Sequence, residues 1–228
     1  MIVRSGILRK KPEWSTENFR RHWRDHHGGL AAKLPGLRRY EQNHVVDSVQ
    51  RGFAYPRGPE QIDGFSMLWF DGVDAMREAM ATPDGRALVA DEQHFIGDLR
   101  IVTLDQVEVI APAAGRPLLK RMSLLRRRPE VSPELFLREW REEHAHLVRR
   151  VQRVRGYRQN LVTAREVPKG QPVGYEGLPV DGIVELWFDD AAAIDTAFGS
   201  PQGQTLMMHA REFIGEITTF LVETHVVK

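Results

Sequence analysis

Two histidines stand at matching places in two similar stretches of this chain. Trp23-x-x-x-His27 and Trp140-x-x-x-His144 each set an indole and an imidazole four residues apart, which on a helix is one face. Imidazole titrates near neutrality and can give or take a proton at physiological pH. Both histidines run in line with an apolar stripe, Phe19, Trp23, Leu30 and Leu34 in the first stretch and Phe136, Trp140, Leu147 and Val151 in the second. That spacing predicts a ring aimed at the core or at a cavity beside it. A core histidine satisfied by its neighbours is the competing reading, and recurrence within one chain fits both.

Three further patterns could carry chemistry. Tyr40-Glu41-Gln42-Asn43-His44 matches Tyr157-Arg158-Gln159-Asn160-Leu161. On a strand, Tyr40, Gln42 and His44 share one face and Glu41 and Asn43 the other. Buried polar rows of this kind need partners or a ligand. In the apolar runs 65–70 and 183–188, Phe65, Met67 and Trp69 match Ile183, Glu185 and Trp187. The alternate rows (Ser66, Leu68, Phe70; Val184, Leu186, Phe188) read as helix-packed. Glu185 is therefore expected inside, with a raised pKa or a specific partner, and it has no acidic equivalent in the first stretch. Asp91 and its counterpart His209 read as surface helix residues. The candidate site set is thus His27, His144 and Glu185 for catalysis, with Trp23, Tyr40, Asn43, His44, Trp69, Trp140, Tyr157, Asn160 and Trp187 for substrate binding.

Other chemistries find no motif. The absence of cysteine excludes disulfides, thiolate metal sites and a cysteine nucleophile. His22, His26 and His27 cluster without a second metal-binding motif, and His144-Ala145-His146 is i,i+2 on a helix, the wrong geometry for one metal. No glycine-rich phosphate loop and no serine nucleophile elbow occurs. With 32 basic against 31 acidic residues, nucleic acid is not an expected partner. No signal peptide or membrane span is visible, and the expectation is a cytoplasmic protein needing neither cofactor nor metal.

The elements that hold these residues come twice. Residues 7–43 match 124–160 in order and spacing, and after one inserted residue 63–97 match 181–215. The units are residues 1–111 and 118–228, joined by a small, Pro/Gly-rich linker at 112–117. Each reads as a strand (3–10; 118–127) and a helix capped by Ser15 or Ser132, with Pro133 at a first helical position. A second strand (37–46; 154–163), a long Gly/Pro-rich loop and a third strand follow. A helix broken at Pro83 or Pro201, a short helix carrying Phe95 or Phe213, and a last strand (101–109; 218–226) complete the unit. Gly28-Gly29 should weaken the first helix relative to Ala145-His146. The order β-α-β-β-α-β is the ferredoxin-like α+β unit. Its sheet has one bare face, and two fused copies can bury both in an intramolecular α/β barrel of the dimeric type.

Residues 27–43, with Leu34-Pro35-Gly36-Leu37 leading to Tyr40-x-Gln42-Asn43, and then Asp63-Gly64-x-x-x-Leu68-Trp69-Phe70-Asp71, resemble the EthD-like family. The second copy keeps His144, Tyr157, Gln159, Asn160 and Asp181-Gly182, but has Gln152-Arg153 in place of Pro-Gly. The resemblance covers nearly the whole chain, twice. It implies a dimeric α/β-barrel fold made within one chain, and marks His27 and His144 as pocket residues. Members and relatives include muconolactone-type isomerases, polyketide dehydratases and cofactor-free monooxygenases, so the fold leaves the reaction open. The leading expectation is a cofactor-independent isomerase, dehydratase or related lyase or cyclase. It would act by proton transfer on a ring-containing metabolite, with Tyr40, Asn43, Tyr157 and Asn160 orienting the substrate and Trp69 and Trp187 as walls. A ligand-sequestering accessory protein and a cofactor-free monooxygenase are the alternatives. A further homodimer of the internal pseudo-dimer is left open.

Overall fold

The structure, a computed structural model, describes every residue from Met1 to Lys228. The first half runs β1 (Ile2–Lys10), α1 (Thr16–His22), a π-helical turn (Trp23–His27), α2 (Gly28–Ala31), β2 (Arg39–Asp47), β3 (Gly64–Phe70), α3 (Val73–Ala81), α4 (Pro83–Phe95) and β4 (Ile96–Ile110). The second half repeats it as β5 (Leu119–Arg127), α5 (Pro133–Glu139), a π-helical turn (Trp140–His144), α6 (Ala145–Val148), β6 (Gly156–Glu166), β7 (Gly182–Phe188), α7 (Ala191–Gly199), α8 (Pro201–Phe213) and β8 (Ile214–Val226), with a short 3-10 turn at Tyr175–Gly177. Ser15 and Ser132 cap their helices, each hydroxyl accepting the N–H three residues on at 3.1 Å.

The eight strands close into an antiparallel barrel in the order β1-β3-β2-β8-β5-β7-β6-β4. Two seams, β2 with β8 and β4 with β6, join the repeats. The bare faces of two split βαβ sheets thus become one interior. Phe65 and Met67 meet Met122, Leu124, Ile183 and Phe220 there. The alternate residues face outward onto the helices: Leu68 and Phe70 pack with Met76 and Leu88, and Leu186 and Phe188 with Ile194 and Leu206. Each large apolar side chain so buried contributes about 1.5–3 kcal/mol.

Three local expectations change. The first helix of each repeat is not continuous: Gly28 N–H bonds the Trp23 carbonyl five residues back, forming the π-turn. The glycine pair costs no length, since α2 and α6 end at the matching residues Ala31 and Val148. The "short" second helix is the longer one, α4 and α8 having 13 residues each. Pro83 starts rather than stops it, because Thr82 Oγ1 accepts the Gly85 N–H at 3.2 Å. A Cβ at Gly85 or Gly203 would stand 2.4 or 2.1 Å from a carbonyl of the preceding helix, so the corner needs glycine.

The long loops are exchanged. The loop after β2 crosses to the second repeat, where Tyr55 Oη donates to the Ile214 carbonyl (2.8 Å), Gly58 N–H donates to Thr218 Oγ1 (3.0 Å) and Phe53 packs on Phe198. The loop after β6 returns the contact, Lys169 Nζ donating to Glu92 Oε2 at 2.5 Å. Each repeat thereby covers the space between sheet and helices of the other.

Candidate functional site

The most repeated motif is a brace. Trp23 Nε1 donates to Tyr40 Oη at 3.1 Å, and Gln42 Nε2 donates to the same hydroxyl (3.2 Å) and to the Trp23 carbonyl (2.7 Å). Trp140, Tyr157 and Gln159 repeat this at 3.1, 2.9 and 2.5 Å. The glutamine thus adds a second donor to the carbonyl that closes the π-turn. Gly64 and Gly182 lie flat under the indoles, where a Cβ would come within 2.3 Å of the ring. Asp63 and Asp181 accept the Lys10 and Arg127 N–H groups at 2.9 and 2.7 Å. Burial raises the Tyr40 and Tyr157 pKa values. His44 stacks on Trp23 at 4.3 Å, and its Nε2–H donates to Gln42 Oε1 at 3.1 Å. Burial, and then the neighbouring His225, push its pKa down to about 3. Trp23, Tyr40, His44, Trp140 and Tyr157 are therefore placed among one another, on the helix side of the sheet.

What the brace positions is a histidine–carboxylate cluster. In the first repeat α4 brings Asp91 against the π-turn. His27 Nδ1–H donates to Asp91 Oδ2 at 2.8 Å, His22 Nε2–H donates to Oδ1 at 3.0 Å, and His26 Nε2 lies 3.5 Å from Oδ1. Asp91 is buried, not on the surface as its sequence position suggested, because it faces the same way as Leu88 and Phe95. Burial acts to raise its pKa, but the hydrogen bonds and charge of His27 and His22 outweigh it and hold the carboxylate below its ordinary range. His22 and His26 open onto a groove of about 610 Å³ shared with Glu13, Trp14, Asn18 and Arg21. His22 Nε2, His26 Nε2 and an Asp91 oxygen lie within 4.8 Å of one another, a donor set able to hold a divalent metal.

The second repeat has Glu139, Glu143 and His209 at the places of His22, His26 and Asp91. His144 Nδ1 faces His209 Nδ1 at 3.3 Å, and His209 Nε2 faces Glu139 Oε2 at 3.3 Å. With the His209 Nε2–H donated to the carboxylate, His209 Nδ1 accepts from His144. Burial, and secondarily His209, push the His144 pKa down to about 3, so this ring is neutral at physiological pH.

Glu185, Asn43, Asn160, Trp69 and Trp187 gather elsewhere, in one mouth of the barrel. Glu185 is fully buried, and its partner is Lys120, a residue the sequence pattern did not single out. Lys120 Nζ stands 2.6 Å from Glu185 Oε2 and 3.3 Å from Glu41 Oε2, and donates to Asn43 Oδ1 at 2.9 Å. Asn160 Nδ2 donates to Glu185 Oε1 at 3.0 Å. Lys120 also lies over the Trp187 ring, and Trp69 Nε1 donates to Gln106 Oε1 at 3.1 Å. The first repeat has Val3 and Met67 at the places of Lys120 and Glu185. The candidates thus divide across the sheet: histidines outside with Asp91, asparagines and Glu185 inside with Lys120.

Solved structures of similar fold span the whole chain. An anthrone oxidase-like protein is 12% identical over 99% of this chain and 92% of its own, with a TM-score of 0.65. A proposed monooxygenase of Lactobacillus acidophilus is 9% identical over 99% and 94%, with a TM-score of 0.61. At such identities the likeness concerns the fold alone. An ethyl tert-butyl ether D (EthD) family protein of Bacillus halodurans is 27% identical, covering 45% of this chain and 96% of its own with a TM-score of 0.37. No curated protein matches the chain. The EthD domain matches residues 11–98 and again 128–216. The chain belongs to the EthD family and carries its domain twice.

Proposed function

We propose that this protein is a small-molecule enzyme that transfers protons without a cofactor, in an isomerisation, dehydration or related lyase or cyclase step, and that the first repeat holds the working site. One observation carries the reading: a single buried carboxylate, Asp91, bonds two imidazoles, the buried His27 and His22, which lines an open groove. With Nε2–H held by Asp91, His22 keeps Nδ1 as its basic nitrogen, and no protein group bonds it. His22 is the proton-transfer group facing the groove. His27 and Asp91 position it, the carboxylate also stabilising the imidazolium that forms. Trp14, edge-on to His22 at 5.2 Å, offers an apolar platform for a ring, and Arg21 and Asn18 offer polar contacts at the rim. The second repeat supports this assignment by contrast, since His144 faces another imidazole rather than a carboxylate.

The test is solvent-deuterium wash-in, followed by NMR, for a panel of cyclic enones and unsaturated lactones. His22→Ala and Asp91→Asn should each slow exchange by about 10²–10⁴-fold, and exchange at the wild-type rate in both variants ends the assignment. Oxygen consumption with an electron-rich phenol would instead identify a cofactor-free oxygenase, and saturable binding without exchange an accessory protein.

The spacing of His22, His26 and Asp91 favours a second reading, in which these three hold a divalent metal and His27 orients the carboxylate from outside. Purified protein would then contain stoichiometric metal, and a chelator would stop turnover. In the metal-free reading a chelator leaves the rate unchanged.

A further inference from the structure

Arg4 on β1 and Arg121 on β5 occupy equivalent positions, both buried and both on the helix side of the sheet, opposite Leu68 and Leu186. Their surroundings differ. In the first repeat α4 presents Glu92, which is also buried, and the charges of Glu92 and Glu166 oppose the effect of burial on Arg4. In the second repeat the place of Glu92 is taken by Ala210. Neither arginine has a carboxylate within ion-pair distance, but Arg4 feels the charges of Glu92 and Glu166 whereas Arg121 feels none. Its one hydrogen bond runs from Nη1 to the Arg51 carbonyl at 3.2 Å, and its Nε has no partner. Burial alone, with nothing set against it, pushes its pKa down to about 9.

Beside Arg121 and Ala210 is a cavity of about 40 Å³, lined also by Ser123 and otherwise almost wholly by apolar side chains. That is space for about three water molecules at ~10–15 Å³ each, or for a compact polar head. Ser123 Oγ, buried and without a partner, lines it as well. The hydroxyl belongs to this repeat only, its counterpart being Gly6. The other polar groups at the cavity bring no charge: His144 is neutral, and the Tyr157 hydroxyl is taken by Trp140 and Gln159. A buried guanidinium without a counter-ion is costly, and an anion that enters relieves that cost. The apolar walls then select what the anion is attached to.

We propose that the second repeat binds a small apolar monocarboxylate, its carboxylate lying on Arg121 and Ser123 and its hydrocarbon or ring portion in the apolar space that Phe53 vacates. Phe53, carried on the exchanged loop, stacks over Arg121 at 4.5 Å and against Phe198 at 4.8 Å, and is the side chain a ligand must move to enter. The ligand site of one repeat is thus closed by the other.

Isothermal titration of the intact chain with isobutyrate and benzoate tests this, with isobutyramide and benzamide as uncharged matches and inorganic phosphate as an anion without an apolar part. At least one carboxylate should bind saturably, and its amide and phosphate at least tenfold more weakly. Arg121→Met should lose binding at least tenfold. Ala210→Glu supplies the carboxylate from within; it should lose binding to the same degree and melt at a higher temperature than wild type. If Arg121→Met does not fold, Ala210→Glu decides. The proposal is overturned if neither carboxylate binds at millimolar concentration, if the amide binds as well as the acid, or if Ala210→Glu binds like wild type.

Discussion

At three equivalent positions the two repeats carry inverted chemistry: His22, His26 and Asp91 in one, Glu139, Glu143 and His209 in the other. The backbone beneath them is the same. Both have the π-turn, the tryptophan–tyrosine–glutamine brace and the glycine under the indole. What recurs holds the frame, and what differs sets the charge within it. His27 is held by a carboxylate and His144 by another imidazole, although their helices are alike. Repetition inside one chain is therefore a guide to scaffold, and departures from repetition are the better guide to function.

The largest expected effect tests that asymmetry directly. Once exchange or turnover is measured for a substrate, Asp91→Asn or His22→Ala should lower the rate by about 10²–10⁴-fold, the usual range for losing a positioned acid–base group. His144→Ala should leave it essentially unchanged. Equal losses in the two repeats would erase the distinction.

The barrel mouth offers a second test. Glu185→Met installs the first repeat's residue but leaves Lys120 short of a partner, and should cost about 3 kcal/mol in urea denaturation. Lys120→Val with Glu185→Met installs both of the first repeat's residues and should recover most of that loss. A double variant as unstable as the single would mean that the pair is needed for more than mutual neutralisation.

A smaller effect sharpens the comparison from the other side. His209→Asp gives His144 the carboxylate that His27 has, and its pKa, followed by NMR, should climb from about 3 by roughly 1–3 units. A further effect concerns pH. His44 and His144 have folded pKa values of about 3, far below the ~6.5 of an unfolded chain. Between those limits the unfolded state holds more protons, so stability falls as pH drops through the window, by about 1.4 kcal/mol per pH unit for each group. His44→Leu copies Leu161 of the second repeat, and its urea midpoint should decline less steeply from pH 6.5 to 4 than that of wild type.

The duplication, the barrel and the inward turn of Glu185 were legible because period-2 alternation and a long ordered repeat are local signals. Asp91 was missed although a signal existed: with Leu88 and Phe95 it falls at i, i+3 and i+7, on the core side of α4. Lys120 was likewise readable as a member of the row Lys120, Met122, Leu124, but a lone lysine in a strand suggests solvent unless its partner strand is known. The row of Tyr40 and Gln42 was seen to need partners, yet a ligand could not be told from Trp23, because the partner carbonyl exists only once the π-turn forms. The crossing of the long loops left no mark at all, since Phe53 and Tyr55 sit in an irregular segment whose destination depends on the other repeat.

The seam between β2 and β8 pairs Gln42 with His225, residues from opposite ends of the chain. Everything from β2 through β8 must be made before that ladder can form, and the loop it closes is a long one. Such distant pairings are slow to form. Until they do, β2 presents an unpaired edge, and the ready-made complement is the β8 of another molecule. Refolding at high concentration should therefore yield strand-exchanged dimers in which the barrel is shared between two chains, a product that dilution during refolding suppresses.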